Sequence, residues 1–433
     1  MSLQRFNLPA LPVYLLIVSI GAFAQTTVFT MNMLYQVEMV KLNPLQLVLV
    51  GTSLETVCFL SQVPTGIIAD LYSRRLSVIL GYLLTACAFL LEGLIPRFET
   101  ILFAQVLWGI GATCIDGAQE AWITDEIGEA QAGRIFTRGA QLGQLASLIG
   151  IPFSVWLGSI RLNLPVVVGG LIWLLLSLTL LWVMPEKHFQ PTPKAERNTW
   201  HSMGRQLSEG SKAVRRSPVL LGILGVTFFL GLSSEGFDRL QTAHFVNNFQ
   251  FPYFSSVIWM GIINAGSLIL SIIITEIIRR RIDITQSHLV GRTLFVLNLG
   301  VIGGIFCFSL ASHFYLALLA FWSVELLRGT SRPLYMTWIA QNSESRVRAT
   351  VFSTAGQVDA IGQIAGGPGV GYIGERFGIR AALLTTGALL SPIIPFFIAA
   401  LRKEKVPATM EPIEATLQSE QHISLDDSQK DML

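Results

Sequence analysis

Three stretches of otherwise apolar sequence carry acids and bases at helical spacing. Asp116 and Glu120 stand four residues apart, so on a helix they share one face. Glu235, Asp238 and Arg239 share a second face, and Glu325, Arg328 and Arg332 a third. Glu55, Asp359 and Arg292 lie singly in comparable surroundings, and Gln25, Thr26, Thr27 and Asn32 add uncharged polar groups. A charge held in hydrocarbon costs roughly 2.5–3.5 kcal/mol unless it is paired or wetted. Such residues therefore mark a proton relay, a path for a polar ligand, or an ion pair that merely holds helices together. Other chemistries lack their residues. There is no Walker loop for ATP phosphates and no nucleophile elbow. His188, His201, His244, His288, His313 and His422 are scattered, mostly at run edges, where a solvated or interfacial role is the default. Cys58, Cys87, Cys114 and Cys307 stand singly in apolar runs without metal-binding spacing. Neither a cofactor, a bound metal nor an enzymatic activity is expected.

The elements that must position these residues are membrane helices. The chain of 433 residues is 52% hydrophobic and only 13% charged, against about 25% charged in soluble domains. A bilayer span needs about 20 apolar residues, and the pattern predicts twelve, at 12–34, 45–69, 76–95, 99–124, 135–159, 164–184, 218–243, 254–278, 287–311, 314–340, 349–374 and 380–401. The fold class is thus all-α and integral to the membrane. Pro185 to Ser217 breaks the pattern with Pro, Ser and charge, and reads as a linker. Within it Trp200, Met203, Leu207 and Val214 would lay a short basic helix on lipid headgroups, which explains its charge better than nucleic acid does. Residues 1–184 and 218–401 then form two six-helix bundles, and 402–433 a polar, disordered tail. With the in-span arginines set aside, one side of the membrane holds only Lys41, Arg97, Arg161, Arg376 and Arg380. The other side holds every remaining Lys and Arg, a bias that puts both termini and the linker in the cytoplasm.

The two halves repeat each other. Sliding the second over the first by 216 residues sets Trp338-Ile339 on Trp122-Ile123, Phe352 on Phe136, Gln357 on Gln141, Gly366 and Pro368 on Gly150 and Pro152, and Gly374 on Gly158. A shift of 206 sets Glu276, Arg280 and Arg281 on Asp70, Arg74 and Arg75. Two parallel six-span repeats are the plan of a rocker-switch transporter, with its site at the midplane between them. Asp116 and Arg332 are equivalent under the first shift, opposite in sign, and about 12 Å from the cytoplasmic ends of their spans at 1.5 Å per residue. They are the expected inner gate. Glu235 and Asp238 fall near the outer end of span 7, where protons can enter. Glu325, near mid-membrane and one turn from Arg328, is the expected carboxylate to exchange a proton for substrate.

Here the residues carry a resemblance. Gly66-Ile-Ile-Ala-Asp70-Leu-Tyr-Ser-Arg74-Arg75, between spans 2 and 3, resembles the signature loop of the major facilitator superfamily, with Leu71 and Ser73 as departures. Gln105-Val-Leu-Trp-Gly109-Ile-Gly111-Ala is similar to the fourth-helix motif, except that Gln105 stands where drug–proton antiporters usually have Arg. Gly150-Ile-Pro152 keeps little of the exporters' fifth-helix motif, and Gly366-Gly-Pro368-Gly-Val-Gly371 on span 11 keeps more. Asp116-Gly-Ala-Gln-Glu120-Ala-Trp122-Ile-Thr-Asp125-Glu126 and Ser234-Glu235-Gly-Phe-Asp238-Arg239-Leu resemble bacterial drug-efflux members.

The resemblance implies two pseudo-symmetric six-helix bundles with spans 1, 4, 7 and 10 lining a central cavity. It implies that Gly66 allows close helix approach and that Asp70, flanked by Arg74 and Arg75, locks the cytoplasmic ends together; the bland reading makes the Arg pair simple membrane anchors. The function expected is multidrug efflux: a monomeric antiporter of the inner or plasma membrane, exporting amphipathic small molecules in exchange for protons. A porter for one nutrient or metabolite is the alternative in the same class. A non-transporting membrane sensor is the alternative from another, and it would need no carboxylates in the lining helices.

Overall fold

The computed structural model describes residues 8–191, 217–281, 286–345 and 347–403. Most of the linker, with Trp200, Met203, Leu207 and Val214, lies outside the described residues, as do Arg5, Arg346 and the tail from 404. The described residues fold entirely as helix and connecting turns, with no strand. The first half holds α1 (Ala10–Leu34, continued by a π turn Tyr35–Met39), α2 (Pro44–Leu71), α3 (Arg74–Leu94), α4 (Phe98–Ile115), α5 (Ala118–Ile127), α6 (Glu129–Ile160) and α7 (Leu164–Val183). The second holds α8 (Pro218–Asn248), α9 (Ser256–Arg281), α10 (Ser287–Leu310), α11 (Phe314–Gln341), α12 (Arg348–Phe377), α13 (Ile379–Leu390) and α14 (Ile393–Lys403). Two of the twelve spans are broken pairs, α4 with α5 and α13 with α14. Ten spans are long and apolar enough by composition alone. The other two, α11 and α12, run 28 and 30 residues, about 40 Å or more at 1.5 Å each, which exceeds a hydrocarbon core of about 30 Å.

Helix boundaries follow local chemistry. Asn43 closes a capping box at α2: its Oδ1 accepts from the Gln46 amide at 2.8 Å, and its own amide donates to Gln46 Oε1 at 3.0 Å. Pro44 follows at the first helical position, where a missing N–H costs nothing. Ser73 and Ser217 cap α3 and α8 by accepting from Leu76 and Leu220. Span 4, expected as one helix, stops at Asp116 because Gly117 turns at φ +74°, a conformation glycine adopts without strain. Asp116 and Glu120 consequently do not share a continuous helical face, contrary to their spacing. Span 5 begins at Glu129 rather than near 135, after Gly128 at φ +84°. The last span is interrupted between Leu390 and Ile393, where Pro392 supplies no N–H for the ladder.

Each half packs as a bundle. In the first, α1 lies along α6 and α7, and α3 lies along α4 and α7; in the second, α8 lies along α12 and α10 along α11. The bundles meet through α2 with α12 and α6 with α9. The side-chain contacts of that seam gather at the end away from the linker. Gly371 abuts Leu45 and Val48, Gly158 abuts Val257, and Asn43 Nδ2 donates to Glu375 Oε1 at 3.1 Å. Small residues here let helices come close enough for van der Waals packing to hold them. At the linker end Asp70 is half exposed and pairs within its own bundle. Among the described residues the two bundles are joined at one end and apart at the other.

Gly366 is where α12 rests on the backbone of α8, beside the Leu232 carbonyl, whereas Gly369 faces open space. Gly366→Ala should therefore lower the thermal midpoint of the purified protein, with an overpacking cost of about 1–3 kcal/mol. Gly369→Ala should hold or raise it, since alanine favours a helix by about 1 kcal/mol over glycine. Equal shifts in the two variants would contradict this packing.

Candidate functional site

Two cavities share one wall, the larger lying between the bundles and the smaller within the second. The larger, about 620 Å³, is lined from the first bundle by Gln25, Glu55, Phe59, Gln62, Trp108, Asp116, Glu120 and Trp173. The smaller, about 400 Å³, is lined from the second by Ser234, Phe237, Asp238, Arg328, Arg332 and Tyr335. Phe352, Gly356, Asp359 and Gln363 of α12 line both, so α12 is the wall between them. Volumes of 300–1,000 Å³ suit small-molecule ligands. The larger side carries four carboxylates, Glu55, Asp116, Glu120 and Asp359, among Trp, Phe and Tyr rings, and no Lys or Arg. The smaller side carries two arginines.

The charged stripes of the sequence sort into three kinds of place. Gln25, Glu55, Asp116, Glu120 and Asp359 face the larger cavity, and Gln363 Nε2 donates to Asp359 Oδ2 at 2.8 Å. Asp238, Arg328 and Arg332 face the smaller. Arg328 binds Asp238 through both prongs, Nη1–Oδ1 at 2.5 Å and Nη2–Oδ2 at 3.0 Å, with its guanidinium 5.5 Å from the centre of the Phe237 ring. This planar fork is geometry that lysine cannot supply. Glu325 lies outside both linings and shares Arg328, 3.6 Å away. Glu235 and Arg239 also lie outside the linings and pair at 3.3 Å against Gly51 of α2. Asp116 and Arg332 stand in different cavities and form no ion pair with each other in this conformation.

The signature loop is tied down from within its own half. Arg74 pairs with Asp125 and donates to the Ala121 carbonyl at 3.1 Å, with Asp70 at 3.8 Å. Glu186, at the start of the linker, accepts from Ser73 Oγ at 2.7 Å and from the Arg75 amide at 3.0 Å. Arg75 also donates to the Leu181 carbonyl at 2.6 Å. Glu126 accepts from the Lys187 and His188 amides. Gly66 has no neighbour within 4 Å of a would-be Cβ, so it mediates no close helix approach here, contrary to expectation.

Two buried groups escape a reading of the sequence. His244, placed by default in an interfacial role, is fully enclosed, with Nε2 at 3.0 Å from the Phe308 carbonyl. Glu92 is 1% exposed in α3. Its carboxylate accepts from Asn32 Nδ2 at 2.9 Å, Gln36 Nε2 at 2.8 Å and Gln105 Nε2 at 3.4 Å. A lone acid two residues from the end of an apolar run looks interfacial. The signal that could have flagged it is the polar pair Asn32 and Gln36 on one face of span 1, together with Gln105 in a family arginine's place.

The chain matches the sequence profile of the Major Facilitator Superfamily over residues 14–367. It is 23% identical over 363 residues to the uncharacterized MFS-type transporter YxaM of Bacillus subtilis, covering 83% of this chain and 88% of that one. A shorter likeness, 26% over 141 residues, joins it to the multidrug resistance protein MdtH of Salmonella paratyphi B, covering 32% of this chain and 35% of that one. Among solved structures it superposes on a bacterial homolog of the human lysosomal transporter Spinster with TM-score 0.68 and 15% identity, over 91% of this chain and 96% of that one. It also superposes on the nucleoside transporter NupG with TM-score 0.70 and 13% identity, over 92% and 100%. With the profile spanning most of its length and the twelve-span, two-bundle fold in place, the chain belongs to the Major Facilitator Superfamily of transporters.

Proposed function

We propose that this transporter is a secondary antiporter of the cell membrane that exports amphipathic cations in exchange for protons by alternating access. The observation that carries the reading is the larger cavity: four carboxylates and several aromatic rings with no basic residue. Aromatic faces attract organic cations, and unpaired carboxylates supply both the counter-charge and exchangeable protons. The positive-inside bias supports a cytoplasmic linker, so the open end faces the cytoplasm and the present state is inward-facing. The likeness to a Spinster homolog solved in an inward-facing conformation is in keeping with that state, and the short likeness to MdtH favours drug-like cargo. The NupG likeness keeps a single-metabolite porter as the second reading. The two bundles, 1–184 and 218–401, are the rocking units and 185–217 their hinge.

In the outward-facing state Asp116 and Arg332 meet and close the cytoplasmic gate, and Asp70 crosses from its own bundle to help lock it. Cutting Asp116 or Arg332 to Ala should slow efflux roughly tenfold for a gate pair worth about 1.4 kcal/mol, and a charge swap should recover part of the loss. A swap as slow as both single variants, with no cross-link between cysteines at the two sites, would remove the pair from the gate.

Substrate class is read from proteoliposomes under an imposed pH gradient. Cationic dyes should be accumulated against their gradient and neutral analogues of the same size should not. Accumulation of a nucleoside or sugar with no response to the cations would favour the second reading.

A further inference from the structure

Glu92 lies outside the cavity and serves none of the roles assigned above. Three side-chain amides, from Asn32, Gln36 and Gln105, donate to its carboxylate, and Tyr35 Oη donates to its backbone carbonyl at 2.6 Å. Among the described residues no Lys, Arg or His pairs with it. Of charged or titratable groups on the packed helices, Tyr35 of the π turn and Arg239 of α8 are the ones whose fields couple to it. The amide shell is itself incomplete: Gln36 Oε1 and Gln105 Oε1 are buried without any hydrogen-bond partner, in side chains 1% and 2% exposed. An orphaned buried acceptor costs about 1–3 kcal/mol, so two beside one carboxylate call for a donor.

We propose that Glu92 is a proton-binding site and that Gln105 is the positioning residue that switches with it. With Glu92 ionised, Gln105 Nε2 donates to Glu92 Oε2, the long 3.4 Å bond of the present shell. When Glu92 Oε2 takes a proton from hydronium, releasing water, a half-turn of the Gln105 amide brings Oε1 into that place, and the new O–H donates to it. One proton is gained and one weak N–H bond is exchanged for one O–H bond; Gln105 Oε1 gains a donor, and its amide nitrogen moves to the position that Oε1 had held. An arginine has no acceptor and could not make this turn, which gives the glutamine in the fourth-helix motif a purpose. A metal cation fits less well, because three N–H groups already point at the carboxylate.

Access is controlled by rings. Phe29, Phe89 and Trp108 each sit three residues from Asn32, Glu92 and Gln105 respectively, on the side toward the cavity. Their centroids lie 5.1–5.6 Å apart, and Trp173 closes on Phe89 at 5.1 Å. Trp108 and Trp173 line the larger cavity, so this aromatic floor separates the proton site from substrate space, and a shift of Trp108 would join them.

The assignment rests on the proton-antiport reading, and the experiment separates the two. Infrared difference spectra of the purified full chain across a pH titration should show a protonated-carboxyl C=O band that Glu92→Gln removes. Gln105→Leu, which keeps Glu92 but deletes its acceptor, should shift that band to the position of a carboxyl without a hydrogen-bond partner. In proteoliposomes Glu92→Gln should lose accumulation driven by a pH gradient and keep downhill exchange. A band unaltered in both variants overturns the site, as does one that Na⁺ displaces at fixed pH. A wild type indifferent to the gradient overturns proton antiport itself. A coupled wild type whose Glu92→Gln variant still accumulates substrate overturns the assignment to Glu92 alone.

Discussion

Every charge inside this molecule has to be paid for, and the fold has three ways of doing it. An isolated acid or base at the bilayer centre costs roughly 2.5–3.5 kcal/mol. Asp238, Arg328 and Glu325 settle that cost by ion pairing, as do Glu235 and Arg239. Glu55, Asp116, Glu120 and Asp359 settle it by facing the cavity. Glu92 does neither and is solvated by amides. The three solutions place the charges differently: across helix pairs, at the cavity wall, and inside an amide shell. The Arg328 fork shows the first best, because two charge-assisted bonds and a ring face fix the side chain in one geometry.

The cavity opens at one end because backbone approach shuts the other. Gly371 against α2 and Gly158 against α9 bring helices of opposite bundles together. No comparable glycine contact joins the linker ends among the described residues, where Arg74 pairs with Asp70 and Asp125 and Arg75 donates to the Leu181 carbonyl. Through Glu186 and Glu126 the start of the linker is fastened directly to the turn between α2 and α3 and to the end of α5.

The twelve spans were legible because hydropathy and length are additive along the chain, and the internal repeat made the pairing of halves legible too. Helix breaks were not. Gly117 reads like any glycine in a membrane helix until its φ is known, and that one torsion undoes the face shared by Asp116 and Glu120. Lining residues such as Gln25, Glu55 and Asp359 announced themselves by polarity alone. Whether an acid faces water or a partner depends on the neighbouring helix, which is why Glu325 drew attention as a cavity group yet lies beside Arg328. Glu92 was hidden for the converse reason: its partners come from α1, the π turn and α4, far apart in sequence.

In the proposed cycle one closed end and one open end exchange places around the cavity. Spin labels at Tyr72 and Ser345 report the linker end, and labels at Arg97 and Ser312 the opposite end; the four sites are surface-exposed in connecting segments. Double electron–electron resonance on reconstituted protein, with and without a transported cation and across pH, gives both distances. Alternating access requires reciprocal change, the linker-end distance shortening in the same conditions in which the opposite one lengthens. Two distances that stay fixed, or that move in the same sense, would contradict it.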